Sequence, residues 1–210
     1  MDLIKPRDLI KANPELNYFG GELFAWVLMH LLRFHKLNKV YLKIDKKNGL
    51  EFVEELIRLL ELKPVVDDKE LKRIPASGPV IIVANHPLGG LDGLLLIKLL
   101  SSVRKDIKIL AAYMLKRIDQ VSDYFIDTRP VDHDAEPGEI HFPGMEESED
   151  HLRNGGLLCI FPAEETTSWE HYRIGTDKMW KFPVIRFIKK MEVPVVPLLF
   201  QMNNSRIFQV

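Results

Sequence analysis

Residues 79 to 93 read PVIIVANHPLGGLDG, and the fold follows from them. Val80, Ile81, Ile82 and Val83 form an unbroken β-branched run, the pattern of a strand covered on both faces. Asn85 and His86 stand where that strand ends, and Gly89, Gly90 and Gly93 allow a sharp turn. Asp92 then opens an apolar helical stretch, LDGLLLIKLL, as a cap or a first-turn residue. An imidazole and a carboxylate thus share one loop at the C-terminal end of a buried strand, where α/β sheets place their chemistry.

Downstream, strand-like runs alternate with helical ones. DIKILAAYM (106 to 114) reads as a strand, residues 115 to 123 as a short helix and Tyr124 to Ile126 as a short strand. Residues 128 to 145, rich in Pro, His, Asp and Gly, read as a loop, and Glu146 to Asn154 as a helix stopped by Gly155-Gly156. Leu157 to Phe161 reads as a strand, residues 163 to 176 as a polar loop and Lys178 to Lys190 as a helix that Pro183 starts or kinks. Val193 to Phe200 reads as a last buried strand. The alternation predicts an α/β fold with a mostly parallel central sheet flanked by helices.

An N-terminal helical segment precedes it. After a lead-in interrupted by Pro6 and Pro14, residues 21 to 35 place Phe24, Val27, Leu28, Leu31 and Phe34 on one helical face. That face packs into a core; Leu23 and Trp26 also suit an interfacial helix touching lipid. Val40 to Ile44 reads as a short strand or extended link, and residues 49 to 62 as a helix with Phe52, Leu56, Leu59 and Leu60 on one side. The charged stretch VVDDKELKRIPASG reads as a solvated loop. The expectation is a single domain over residues 1 to 210, its first 64 residues helical and residues 65 to 210 α/β, with the last residues, SRIFQV, suggesting that a C-terminal part is missing.

Composition narrows the function. With 29 basic and 30 acidic residues the net charge is −1, which argues against nucleic acid as a partner. The lone Cys159 sits in an apolar run and reads as a core thiol suited to a reducing compartment. No apolar run reaches the roughly 18 residues of a membrane span, so any membrane contact is made from the surface. Asp132-His133-Asp134 is too local to converge on a metal, and neither a P-loop nor G-x-G-x-x-G is present.

A His–Asp pair can act as a general base with an orienting carboxylate. No serine or cysteine nucleophile stands beside it, which favours direct attack by one substrate on another. Asn85-His86 followed by Asp92 resembles the N-H-x(4)-D motif of the glycerolipid acyltransferases, the lysophosphatidic acid acyltransferase superfamily. YFIDTRPVD (124 to 132), CIFPAEETTSW (159 to 169) and VPVVPL (193 to 198) resemble its second, third and fourth blocks, in order. ANHPLGGLDG, FPAEETTS, Asp177-x-x-Trp180-Lys181 and NSRIF look closer to its hemolysin-like bacterial branch.

The resemblance implies acyl transfer from a thioester, on acyl carrier protein or coenzyme A, to a hydroxyl of a lyso-lipid or lipid precursor. His86 would be the base and Asp92 its orienter. Asn85, Gly89, Gly90, Arg129, Phe161, Pro162, Glu164, Glu165 and Thr166 would bind substrate. The donor would be a substrate and no cofactor or metal is implied. The enzyme would work peripherally at the cytoplasmic face of a membrane, in phospholipid biosynthesis or related lipid metabolism. Two departures stand out. The spacing here is His-x(5)-Asp, and the third block carries Ala163 for the usual glutamate and Glu164-Glu165 for glycine and threonine, without its arginine. Carboxylates repel a phosphate, which weakens the case for lysophosphatidic acid as acceptor and makes an amino-acid-containing lyso-lipid, its amine near those glutamates, a reasonable hypothesis. The altered spacing also leaves open a non-catalytic lipid- or acyl-carrier-binding protein of the same fold.

Overall fold

In a computed structural model, the chain forms two compact units, Met1–Leu62 and Lys63–Val210. The structure describes residues 5–7, 10, 14–31, 34–44, 46–111, 113–127, 144–163 and 179–201.

The first unit is helical. A 3-10 turn over Pro14–Phe19 leads into α1 (Gly21–Leu31), α2 (Phe34–Ile44) and α3 (Gly49–Leu59). Most of the helix expected over 21 to 35 is α1 and the start of α2, residues 32 and 33 lying outside the described residues, and the strand expected over Val40 to Ile44 is the last part of α2. The reason is periodicity: Asn38, Ile44 and the ring of Tyr41 turn inward at helical spacing, and Tyr41 meets Phe52 of α3 edge-on with ring centroids 6.1 Å apart. On α3 the buried face is Phe52, Val53, Leu56 and Ile57, rotated from the one expected. Leu23, Trp26 and Val27 of α1 stay 73%, 51% and 48% exposed.

Among its described residues the second unit holds five parallel strands, β1 (Val80–Ala84), β2 (Ile107–Ala111), β3 (Phe125–Asp127), β4 (Leu157–Ile160) and β5 (Val195–Leu198), in the order β3-β2-β4-β1-β5. The α/β expectation holds, with helices on both faces. On one face Ile81, Val83, Leu110, Ile126, Leu158 and Ile160 pack with Leu152 of α7 (Met145–Arg153) and Val184 and Phe187 of α8 (Phe182–Met191). Pro183 falls in the first turn of α8, where its missing N–H costs nothing. The other face takes α5 (Gly90–Leu100), whose Gly93 sits where a β-carbon would lie 3.0 Å from the Phe125 ring.

Three local expectations change. The charged stretch after Pro64 contains α4 (Asp68–Leu71), capped by Asp67, whose carboxylate accepts from the Lys69 amide at 2.8 Å. Between β2 and β3 stand a short α6 (Tyr113–Lys116) and a 3-10 turn at Ser122–Tyr124 in place of one helix. β5 is shorter than expected and alternates between exposed and half-buried positions. It pairs with β1 alone among the described strands, and Pro197 opposite Val83 lacks the N–H a central strand would need. The loops expected over 128 to 145 and 163 to 176 lie almost wholly outside the described residues, as do Asp132, His133 and Asp134.

The N-terminal edge of the sheet is locked by Arg104, whose side chain is 2% exposed. Its guanidinium pairs with Asp106 and donates to the carbonyls of Gly78 at 2.5 Å and Gly155 at 2.6 Å, tying together the starts of β1, β2 and β4. Beside it the Asp106 carboxyl is held below its ordinary range by the Arg104 hydrogen bonds.

Gly144, just before α7, has φ +82°, and a β-carbon there would lie 2.5 Å from Ile126 Cγ2 and 2.7 Å from the Asp127 carbonyl oxygen. Gly144→Ala is therefore expected to cost roughly 2–4 kcal/mol, from left-handed strain plus overpacking. A thermal melt should show a drop of about 5–15 °C; an unchanged melting temperature would contradict it.

Candidate active site

The site lies at the opposite, C-terminal edge of the sheet. β1 is central, between β4 and β5, and its register pairs Val83 with Ile160 on one side and Ala84 with Leu198 on the other. The residues that leave these three strands are therefore neighbours whatever their distance in sequence: Asn85 and His86 after β1, Phe161 after β4, Phe200 after β5.

The turn into α5 is built by Gly89 and Asp92. Gly89 precedes the helix at φ 63°, ψ −133°, a combination open in practice to glycine alone. That conformation swings the chain back, so the Asp92 amide donates to the Gly89 carbonyl at 3.0 Å and Asp92 Oδ2 accepts the Leu88 amide at 2.8 Å. The carboxylate thus serves as an N-terminal cap for α5 while lying wholly buried.

The same Oδ2 lies 3.0 Å from His86 Nδ1. The longer His-x(5)-Asp spacing does not separate the two groups, because the Gly89 turn takes up the additional residue. Neither Nδ1 nor Asp92 Oδ1 makes a well-directed hydrogen bond in this conformer. Catalytic hydrogen bonds often tighten only when substrate is bound. No other acceptor meets Nδ1 among the described residues, which favours the tautomer with hydrogen on Nδ1 and a free lone pair on Nε2. The imidazole is 17% exposed and stacks on Phe161, with ring centroids 4.2 Å apart and planes 29° from parallel.

Burial is the main influence on Asp92 and raises its pKa above the ordinary 3.8, while the His86 contact and the Leu88 and Gly89 amides pull the other way. Cys159, in the centre of β4, is fully buried, and burial pushes its thiol up, out of reach as a nucleophile.

The remaining sequence candidates fall in three groups. Phe161 is buried against the imidazole, and the carbonyl of the buried Pro162 accepts the Lys181 amide at 2.9 Å. Gly89 and Gly90 form the turn and the first residue of α5. Asn85 directs its amide at the backbone of Phe200. Arg129, Glu164, Glu165 and Thr166 lie outside the described residues. The Leu88 amide and the Phe200 backbone were not foreseeable as members of the site, since a backbone group carries no side-chain signature.

The parallel sheet thus carries at its C-terminal edge a wholly buried carboxylate behind a partly exposed imidazole. Residues 65–201 match the acyltransferase family model, and the chain belongs to that family, within the glycerolipid acyltransferase superfamily. Among curated proteins, a lyso-glycine lipid O-acyltransferase of Phocaeicola vulgatus is 30% identical over 201 residues, covering 94% of this chain and 68% of that protein. Another, of Bacteroides thetaiotaomicron, is 28% identical over 199 residues, covering 94% of this chain and 70% of its own length. No solved structure is a significant match. The chain is an O-acyltransferase acting in lipid metabolism.

Proposed function

We propose that the enzyme acylates a hydroxyl of a lyso-glycine lipid, using a fatty acyl thioester of acyl carrier protein or coenzyme A. The observation that carries the mechanism is His86 Nδ1 set 3.0 Å from a fully buried Asp92 carboxylate, beside a partly open ring edge. Nε2 takes the proton of the acceptor hydroxyl as its oxygen attacks the thioester carbonyl. Asp92 stabilises the imidazolium that forms. The tetrahedral adduct collapses, the carbon–sulfur bond breaks, and the thiolate leaves with the proton from Nε2. An ester and a free thiol result, and the step needs only the hydroxyl, the thioester and the dyad.

The names of the two relatives support the acceptor, as does the third sequence block. Glu164 and Glu165 stand where the family pattern carries no charge, and its arginine is absent. Two carboxylates repel a phosphate dianion strongly. A glycine headgroup carries less negative charge, and its nitrogen can donate a hydrogen bond to a glutamate. Glycine has no side-chain hydroxyl, so the oxygen acylated belongs to the chain already attached. Arg129 and Thr166 would complete the acceptor site. The protein would act peripherally on the cytoplasmic face of a membrane, supported by the exposed Leu23, Trp26 and Val27 of α1. Among the described residues no helix is long and apolar enough to cross one.

Purified enzyme with acyl-carrier and coenzyme A thioesters, offered lyso-glycine lipid and lysophosphatidic acid in parallel, tests this by mass spectrometry. The expected product is O-acylated glycine lipid, with lysophosphatidic acid acylated at least tenfold more slowly. Acylation of lysophosphatidic acid alone would overturn the acceptor.

A further inference from the structure

The β1–β5 ladder ends at Ala84 opposite Leu198, yet the two chains stay joined beyond it. Asn85 Nδ2 donates to the Phe200 carbonyl at 3.1 Å, and Asn85 Oδ1 accepts the Phe200 N–H at 2.7 Å. A residue in extended backbone presents its N–H and C=O on one side, and the side-chain amide of Asn85 meets both, as a neighbouring strand would. Only one orientation of the amide satisfies the pair; the flipped one would set donor against donor. Both polar atoms of Asn85 are therefore engaged by backbone rather than turned to a ligand.

The next residue is His86. Its partners are already fixed: Asp92 by the Leu88 amide at 2.8 Å, and the ring by Phe161 at a 4.2 Å centroid distance. What remains to be fixed is the backbone from which the imidazole springs. We propose that Asn85 is a positioning residue, whose amide ties the Phe200 backbone to the peptide carrying His86 and so sets where the imidazole stands relative to Asp92. This rests on His86 acting as the base.

Asn85→Ala is expected to lower kcat roughly 10- to 100-fold, the scale of a displacement of about 1 Å in a catalytic group. KM for the acceptor should stay within about twofold, and the side-chain 15N resonances of His86 should move toward a mixture of tautomers. The second arm leaves Asn85 intact. Phe200→Pro removes the N–H that Asn85 accepts, while Phe200→Ala removes only the side chain. The proline variant should show kcat at least about tenfold below the alanine variant, and this arm stands alone if Asn85→Ala fails to fold. A raised KM with unchanged kcat in Asn85→Ala would make Asn85 a substrate ligand and overturn the proposal. Equal kcat in the two Phe200 variants would overturn it as well. His86→Gln separates the failures: an active His86→Gln removes the base itself, whereas an inactive one beside a fully active Asn85→Ala removes only the positioning role.

Discussion

Asp92→Asn is expected to lower kcat by roughly 10³–10⁴ while leaving the fold intact, the scale found when an orienting aspartate is replaced in a hydrolase triad. The physical reason is the lost charge. Asp92 Oδ2 meets both the Leu88 amide and His86 Nδ1, so an asparagine oxygen in that place keeps the cap on α5 and the tautomer with hydrogen on Nδ1. It carries no negative charge to stabilise the imidazolium that forms when Nε2 takes the proton of the acceptor hydroxyl. The same change is expected to stabilise the protein at neutral pH, seen as a raised melting temperature. Burial raises the Asp92 pKa, so the native state holds this proton more tightly than the unfolded chain does. The charged form is therefore a burden on the native state, fully present above the raised value. The burden shrinks as pH falls through that value toward the ordinary 3.8. The melting-temperature gap between Asp92→Asn and wild type should be widest near neutrality and close on acidification. A variant that is less stable than wild type at neutral pH would sink the assignment of Asp92 as a buried, destabilising carboxylate.

His86→Gln is expected to reduce kcat by roughly 10²–10⁴, the range supplied by a positioned general base. Glutamine is used because it keeps polar bulk against Phe161 and limits the cavity alanine would leave. Acceptor KM should change by less than about threefold, since the imidazole acts on a proton and contributes little ground-state binding. Single-turnover measurement with preformed acyl thioester separates this from a slow release step. Near-wild-type turnover with an intact circular dichroism spectrum would remove His86 from the mechanism and, with it, the role given to Asp92.

Much of this architecture was legible from short-range pattern. The run Val80 to Val83 marks a strand buried on both faces, because no polar residue interrupts it. His86 and Asp92 were legible as a pair because the glycines around them make a turn tight enough to bring six-residue neighbours together. Other features failed to show. Val40 to Ile44 carries two β-branched residues and reads as extended, yet tertiary packing against α3 makes it helical. Val193 to Phe200 is as apolar as a central strand, and only its place beside β1, with Pro197 in the ladder, shows it to be paired on one side among the described strands.

The sequence by itself determined the class of fold, the strand–turn–helix that carries the dyad, and the family to which the chain belongs, since each rests on residues close together or on blocks in a fixed order. Tertiary structure decided the rest. Whether Asp92 reaches His86 across His-x(5)-Asp depends on the backbone angles of Gly89, which no spacing rule contains. That Phe161 covers the imidazole depends on β4 lying beside β1, and that Asn85 is taken up by Phe200 depends on β5 lying on its other side. Those neighbours are 75 and 115 positions away in the chain. Contacts of that kind are set by the order of strands in the sheet, a property of the packed molecule that local residue pattern does not encode.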